Sequence, residues 1–336
     1  MFIKNNKLCN YIKGFMFEKI YVNFFSFVYN LDKDIKDYIK TSYREGFIDS
    51  KNVRLVMKVA FDENLKGLDK HIDLVKIVTK SDIQAKFASR VALSEDLMED
   101  DDQIDMARAV ADAGSVKQAE IATEVALDEN LMEDDNQALL VRAVADAGSV
   151  KQAEFAKEIA LDEKMMEDDN QIDMARAVAD AKGAVQAKFA TKVALDEKMM
   201  EDDNQAQLVQ TVADARGKFQ AIYAAKAAKS DCLDDDDKLE GTKIIANAKG
   251  IPQTEYAAQI VCNDDFSSEE KLVLAKIVAN AKSGDHAKYI MDIIDEEVKV
   301  SPEVIKTIAD APSKDDAKEI AFELGFVRKR GVMDEK

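Results

Sequence analysis

The chain has 336 residues, with 47 Lys and Arg against 66 Asp and Glu, for a formal net charge of −19. Such a field disfavours direct binding of nucleic acid by the whole chain. With only 3 Pro, 12 Gly and no Trp, a many-stranded β fold, which needs turn residues roughly every 8–12 positions, is also disfavoured, and long helices are favoured.

Charge and aromatic content change near residue 58. Residues 1–58 carry 11 Lys/Arg and 6 Asp/Glu and hold 12 of the 23 aromatic residues, whereas residues 59–336 carry 36 and 60. Within residues 1–31, the stretch Ile20 to Leu31 is apolar but broken by Asn23 and Asn30, and Lys4, Lys7, Lys13 and Lys19 precede it. The basic stretch is too long for a secretory leader and no small-residue cleavage site follows. No apolar run reaches the roughly 18 residues of a membrane-spanning helix. Tyr21, Phe24, Phe25, Phe27 and Tyr29 leave two readings open. Residues 1–31 pack on the first repeat as a cap, or they form a membrane-surface or partner-docking segment, the one place where membrane contact is expected. Met16 is an alternative start. Asp32 to Glu45 reads as a helix ended by Gly46, and Ser50 as the start of another, which makes residues 32–58 an N-terminal helical cap.

From residue 59 to 322 the chain repeats. Val91-Ala92-Leu93 recurs at Val125, Ile159 and Val193, and Val110-Ala111-Asp112-Ala113 at Val144, Val178 and Val212, each time 34 residues on. Weaker copies begin at Ile245, Val278 and Ile308, and Val59-Ala60-Phe61 opens a copy of 32 residues upstream. About eight units of 30–34 residues follow one another, and units 91–124 and 125–158 are identical at 25 of 34 positions.

Each unit predicts two helices. In residues 115–147, Ser115 and Gln118 form an S-x-x-Q capping box, as do Ser149/Gln152 and Ser81/Gln84. Gly114 and Gly148 stand where a preceding helix would end on a left-handed residue. Helix A is expected from about Val116 to Glu129, then an acidic link, then helix B from about Asn136 to Ala147. Helices this short are marginal alone and must bury a face on their neighbours.

Position by position, Phe87, Ile121, Phe155, Phe189, Tyr223, Tyr256 and Tyr289 share one place on helix A, each but the last followed by Ala. That pairing of large with small predicts core packing. Met98, Met132, Met165, Met166, Met199 and Met200 read as hairpin core. On helix B, Met106, Val110 and Ala113 fall on one side of the helical wheel, Arg108 and Asp112 on the other. The Arg108 position recurs as Lys76, Arg142, Arg176, Gln210, Lys243, Lys276 and Lys306, and the Asp112 position as Asp146, Asp180, Asp214, Asn247, Asn280 and Asp310. One reading is i,i+4 ion pairs on a solvated face, worth about 0.3 kcal/mol each. The other is a ladder of donors and acceptors for a partner, formed by Arg108, Asp112, Arg142, Asp146, Arg176, Asp180, Asp214, Lys243, Asn247, Lys276 and Asn280.

Tandem helix pairs of this length resemble α-solenoids of the HEAT/armadillo type, and the polar helix-B column resembles the asparagine ladder with which armadillo proteins hold extended peptides. The resemblance implies an all-α, right-handed superhelix that acts by binding. No binding residue carries over, because Asp replaces most ladder Asn. The W-x2-L-G-x2-Y pattern of tetratricopeptide repeats is absent.

Acidic links at Glu99–Asp102, Glu133–Asp135, Glu167–Asp169, Glu201–Asp203 and Asp234–Asp237 form a further series. They read as helix caps, as bait for a basic partner, or as cation ligands, although no EF-hand loop exists. Cys9, Cys232 and Cys262 predict no disulfide framework and no zinc site, and fit a reducing, cytoplasmic setting. No nucleotide-binding, metalloprotease or serine-nucleophile motif occurs, so neither an enzyme nor a cofactor is expected. The expected function is a protein-interaction scaffold. The alternative is an acidic decoy that occupies a basic or nucleic-acid-binding protein. Arg328, Lys329 and Arg330 lie in residues 323–336, a basic tail.

Overall fold

The computed structural model describes residues 31–49, 51–81, 83–97, 102–131, 136–165, 170–199, 204–295 and 301–323. The expectations for residues 1–30 and 324–336, for most of the acidic links, and for Met98, Met132, Met166 and Met200 lie outside them. Among the described residues there are eighteen α-helices and no strand. They fall into two compact units, Met1–Glu167 and Asp168–Lys336.

The first unit holds α1 (Lys33–Glu45), α2 (Val53–Ala60), α3 (His71–Lys80), α4 (Ala85–Ala92), α5 (Gln103–Asp112), α6 (Val116–Ala126), α7 (Gln137–Ala145) and α8 (Val150–Ala160). From α2 onward each helix packs on its successor and on the helix after that. Two rows result: α2, α4, α6 and α8 are the A helices, and α3, α5 and α7 the B helices, with α1 against α3. The second unit, α9 (Gln171–Ala179), α10 (Ala184–Ala194), α11 (Gln205–Ala213), α12 (Lys218–Ala228), α13 (Asp235–Ala246), α14 (Ile251–Val261), α15 (Ser268–Ala279), α16 (Gly284–Asp295), α17 (Pro302–Ala309) and α18 (Lys314–Glu323), repeats the pattern, with the A helices even-numbered. This layering is consistent with an α-solenoid.

The core follows from the repeat columns. Ala88, Ala122 and Ala156 in the first unit and Ala190, Ala224 and Ala257 in the second have no exposed surface, so A helices approach closely there. Met106, Leu140, Val110 and Val144 are equally buried from the B side. Each such large side chain contributes about 1.5–3 kcal/mol by leaving water. Leu97, Leu131, Met165 and Met199 close the hairpins. The aromatic column behaves less uniformly than expected. Phe87, Ile121 and Tyr289 are buried, but Phe155, Phe189, Tyr223 and Tyr256 are half-buried. The neighbouring Ala takes the deepest place, and lysine stems cover the rings: Lys192 Nζ lies 5.2 Å from the Phe189 centroid and Lys226 Nζ 5.1 Å from that of Tyr223.

Helix ends show where local expectation meets tertiary demand. Helix A of the middle repeat runs only to Ala126, and a 3-10 turn, Glu129–Leu131, follows. Ser115 caps α6 by accepting from the Gln118 N–H at 3.3 Å, and Ser149 caps α8 likewise at 3.4 Å. The glutamine does not close a capping box. Its Oε1 accepts from the serine hydroxyl, and Gln118 Nε2 donates to Ala147 O at 2.6 Å, beyond the end of the next B helix. Gln84 does the same to Ala113 O at 3.0 Å. Ser81 makes no box: its hydroxyl donates to Ile77 O at 2.7 Å and ends α3. The full capping box is Ser267 with Glu270, at the start of α15. Gly114 and Gly148 are not left-handed; among the described glycines only Gly46, which ends α1 as expected, and Gly67 have positive φ. A Cβ on Gly148 would stand 3.1 Å from Gln152 Nε2, a close contact that the folded-back side chain would have to yield to, and the same place is Lys182 and Arg216 in later repeats.

Cys232 and Cys262, read as unpaired in the sequence, are joined by a disulfide with Cα atoms 4.7 Å apart. The repeat explains it. Cys232 takes the link position of Lys198, and Cys262 the position after helix A held by Leu195 and Lys229. The same edge brings Lys229 Nζ within 2.7 Å of Asp196 of the preceding repeat. There burial works to raise the Asp196 pKa, and the Lys229 and backbone hydrogen bonds outweigh it and hold the carboxyl below its ordinary range.

Candidate functional site

The B helices carry the sequence-derived stripe, and their sequence dictates which side faces out. Apolar residues at Met106, Val110 and Ala113 bind that side of α5 to the core, which turns Arg108 and Asp112 to solvent. On α7 the same periodicity buries Leu140 and Val144 and exposes Arg142 and Asp146.

In the first unit these side chains line two successive grooves. Between α5 and α7, an open groove of about 370 Å³ has Ala109, Ala138 and Leu139 as its floor and Asp102, Asp105, Arg108, Asp112, Arg142 and Asp146 around it. Between α3 and α5, Ile77 and Ala111 underlie a second, bordered by Asp73, Lys76, Lys80, Arg108 and Asp112. Arg108 and Asp112 border both. The structure therefore brings together Arg108, Asp112, Arg142 and Asp146.

The internal pairing differs from the expected i,i+4 register. Arg142 Nε does face Asp146 at 3.7 Å. Arg108, however, bonds Asp105 at 2.8 Å, one turn back, and Lys76 bonds Asp73 at 2.9 Å in the same way. Asp105 and Asp73 sit in the first turn of α5 and α3, where the helix dipole favours a carboxylate, whereas Asp112 at the far end of α5 is disfavoured by it. On α5 and α3 the cation thus settles on the N-terminal acid, although Arg176 and Asp173, at the same places on α9, form no such pair. On α7 that place is Leu139, so Arg142 turns to Asp146.

The second unit exposes Arg176, Asp180, Asp214, Lys243, Asn247, Lys276 and Asn280. Three of them, Asp214, Asn247 and Asn280, bond within their own helices. Gln210 Nε2 donates to Asp214 at 2.7 Å. Asn247 Nδ2 donates to Lys243 O at 2.9 Å and Asn280 Nδ2 to Lys276 O at 2.9 Å, so both amides serve the last turn of their B helix. Lys276 reaches Glu240 of the neighbouring B helix at 3.8 Å.

Sequence reading missed a column behind the stripe. His71, Gln103, Gln137, Gln171 and Gln205 open the B helices and are buried. Gln103 Nε2 donates to Val91 O at 3.1 Å, Gln137 to Val125 O at 3.3 Å and Gln205 to Ala194 O at 2.7 Å, while His71 Nε2 meets Val59 O at 2.9 Å. Each ties its B helix to carbonyls in the last turn of helix A, of which Val59 O, Val91 O and Val125 O also accept a backbone N–H, and so fixes the angle of the hairpin that aims the stripe. The signal was present as a Gln repeating every 34 residues. Lys182, Lys249 and Lys282 in the second unit were missed too; their ammonium groups donate to Asp214 O, Asn280 O and Pro312 O in the following repeat.

Among the described residues no group of three or more His, Cys, Asp or Glu is arranged to hold a metal ion. No described helix is long and apolar enough to cross a membrane. Comparison with protein-family models, with curated proteins and with solved structures finds no match to this chain.

Proposed function

We propose that this chain is a non-enzymatic protein-binding scaffold, built as a right-handed α-solenoid within each unit with about eight repeats counted along the chain, and that its helix-B face holds an extended protein or peptide segment. The observation that carries the reading is the pair of successive grooves on α3, α5 and α7, with small apolar floors and borders of both charge signs. An extended peptide alternates its side chains between two sides, and a row of grooves with polar borders can take every second one while the rim fixes the main chain. Many weak contacts on one rigid face add up by avidity.

The test uses the full chain to select extended peptides from a random display library. The comparison is a variant with Arg108→Glu, Asp105→Lys, Arg142→Glu and Asp146→Lys, which preserves the internal pairs seen here. With circular dichroism unchanged, selected peptides should bind the variant at least about tenfold more weakly. Equal binding by both proteins sinks the reading. If the selected peptides are polycationic, ignore the variant and dissociate between low and physiological salt, the acidic-decoy reading takes its place.

A further inference from the structure

On the opposite row of the first unit, the charge changes sign. The A helices α2 and α4 contain no acidic residue. Arg54 and Lys58 on α2 and Lys86 and Arg90 on α4 are exposed, and none of the four forms an ion pair among the described residues. Lys58, Lys86 and Arg90 border one shallow groove of about 350 Å³, whose apolar lining is Leu55, Leu93 and Leu127.

The repeat makes the anomaly measurable. Within the first unit, the places of Arg54 and Lys86 are taken by Glu120 and Glu154 on the next two A helices, and those of Lys58 and Arg90 by Glu124 and Glu158; on α10 of the second unit they are Lys188 and Lys192, without the acidic neighbours of α6. Pairing along their own helices does not account for the cations, although Lys86 Nζ lies 5.6 Å from the Phe87 centroid. Arg54 with Lys58 and Lys86 with Arg90 are like-charge i,i+4 pairs, each unfavourable by about 0.2–0.5 kcal/mol. The carboxylates nearest them are engaged elsewhere. Glu120 bonds Lys117 at 2.9 Å, Glu124 bonds Lys157 at 2.8 Å, and Glu95 accepts from Asn64 at 3.4 Å. The Glu120 carboxyl is held below its usual range first by its Lys117 hydrogen bond, with Lys86 and Arg90 adding to it.

We propose that this groove docks an acidic, leucine-bearing segment of a partner protein, with carboxylates on Lys58, Lys86 and Arg90 and an apolar side chain on Leu55, Leu93 and Leu127. Three cations around an apolar floor call for both kinds of group in one ligand. A short segment fits better than a long polyanion. The patch is two helices wide, about 8–10 Å between axes. Beyond it lie Glu120 and Glu124, in a chain of net charge −19, which repel a nucleic acid or an anionic membrane.

The experiment titrates the full chain onto a fluorescein-labelled peptide of three Glu-Glu-Leu-Glu repeats and reads anisotropy at low and physiological salt. Saturable binding is expected, weaker in salt and at least about tenfold weaker for Lys58→Glu with Arg90→Glu. Lys58→Gln with Arg90→Gln, the milder pair, should fall between the two. Lys188→Glu with Lys192→Glu, on α10 of the second unit, should match wild type. Absence of saturable binding overturns the proposal, as does equal binding by the reversed variant. Tighter binding of a twelve-residue oligothymidine or of phosphatidylserine vesicles through the same residues also overturns it, in favour of a general polyanion site. The helix-B reading stands or falls separately, because its variant leaves α2 and α4 untouched.

Discussion

Gln137 illustrates how much of this architecture rests on single polar side chains. It is 2% exposed, opens α7, and donates to Val125 O and Ala126 O at the end of α6. A buried carbonyl left without a donor costs about 1–3 kcal/mol, more than the hydrogen bond itself contributes net. Gln137→Leu, similar in volume, strips the donor from Ala126 O but also removes Gln137 Oε1, which is buried without a partner, so it should destabilise the first unit by about 1 kcal/mol, read as a lower urea midpoint at unchanged slope. An unchanged midpoint would mean the bond is dispensable. The sequence displayed Gln103, Gln137, Gln171 and Gln205 as a period but not as a device, because the acceptor is a backbone carbonyl and carbonyls have no letter. Arg108 was opaque for a related reason. Both Asp105 and Asp112 lie within reach of it on one helix face, and only the direction of the helix dipole separates them.

Among the elements, helix identity was legible and helix ends were not. Alternating apolar columns placed all the A and B helices of residues 91–213, since an amphipathic stripe of period 3.6 has one solution. Gly114 misled because a glycine after a helix need not be left-handed, and the same place is Lys182 and Arg216 in later repeats. The disulfide was illegible because pairing depends on which link faces which helix end. Around it the repeat is atypical. Gly241 occupies the column of Met106, Leu140, Met174 and Leu208, and the Leu233 side chain fills the space, abutting where a Cβ would stand. The Cys232–Cys262 bond, spanning 30 residues, thus ties down the repeat with the least side-chain core of its own in that column. Closing a loop of that size restricts the unfolded chain by about 3–4 kcal/mol. Reduction with a phosphine, or Cys232→Ser, should lower the melting temperature of the second unit and speed amide exchange in α13 before α10. Uniform exchange across both helices would show that the bond is not the local restraint.

For the molecule as a whole, the period of 34 residues was the most informative letter pattern, because it implied two rows of helices before any side chain was placed. What it left open was which row meets a partner, since both rows of the first unit expose charge and both carry grooves. The forward reach of the glutamines has a further consequence. Gln84 bonds Ala113 O and Gln118 bonds Ala147 O, so these neighbouring repeats of the first unit use the same plug and the same socket. Excising residues 91–124 would set Gln84 against Ala147 with the same geometry, since the copy that moves up, 125–158, agrees with the excised one at 25 of 34 positions. The shortened protein should keep its mean residue ellipticity and lose only a few degrees of thermal midpoint, and a collapse of helicity would show the copies are not interchangeable. Near-identical tandem coding segments also misalign readily during copying. Where neighbouring joints are built alike, as between residues 84 and 147, such slips in frame leave the packing intact, so the array can change length there without new hinges.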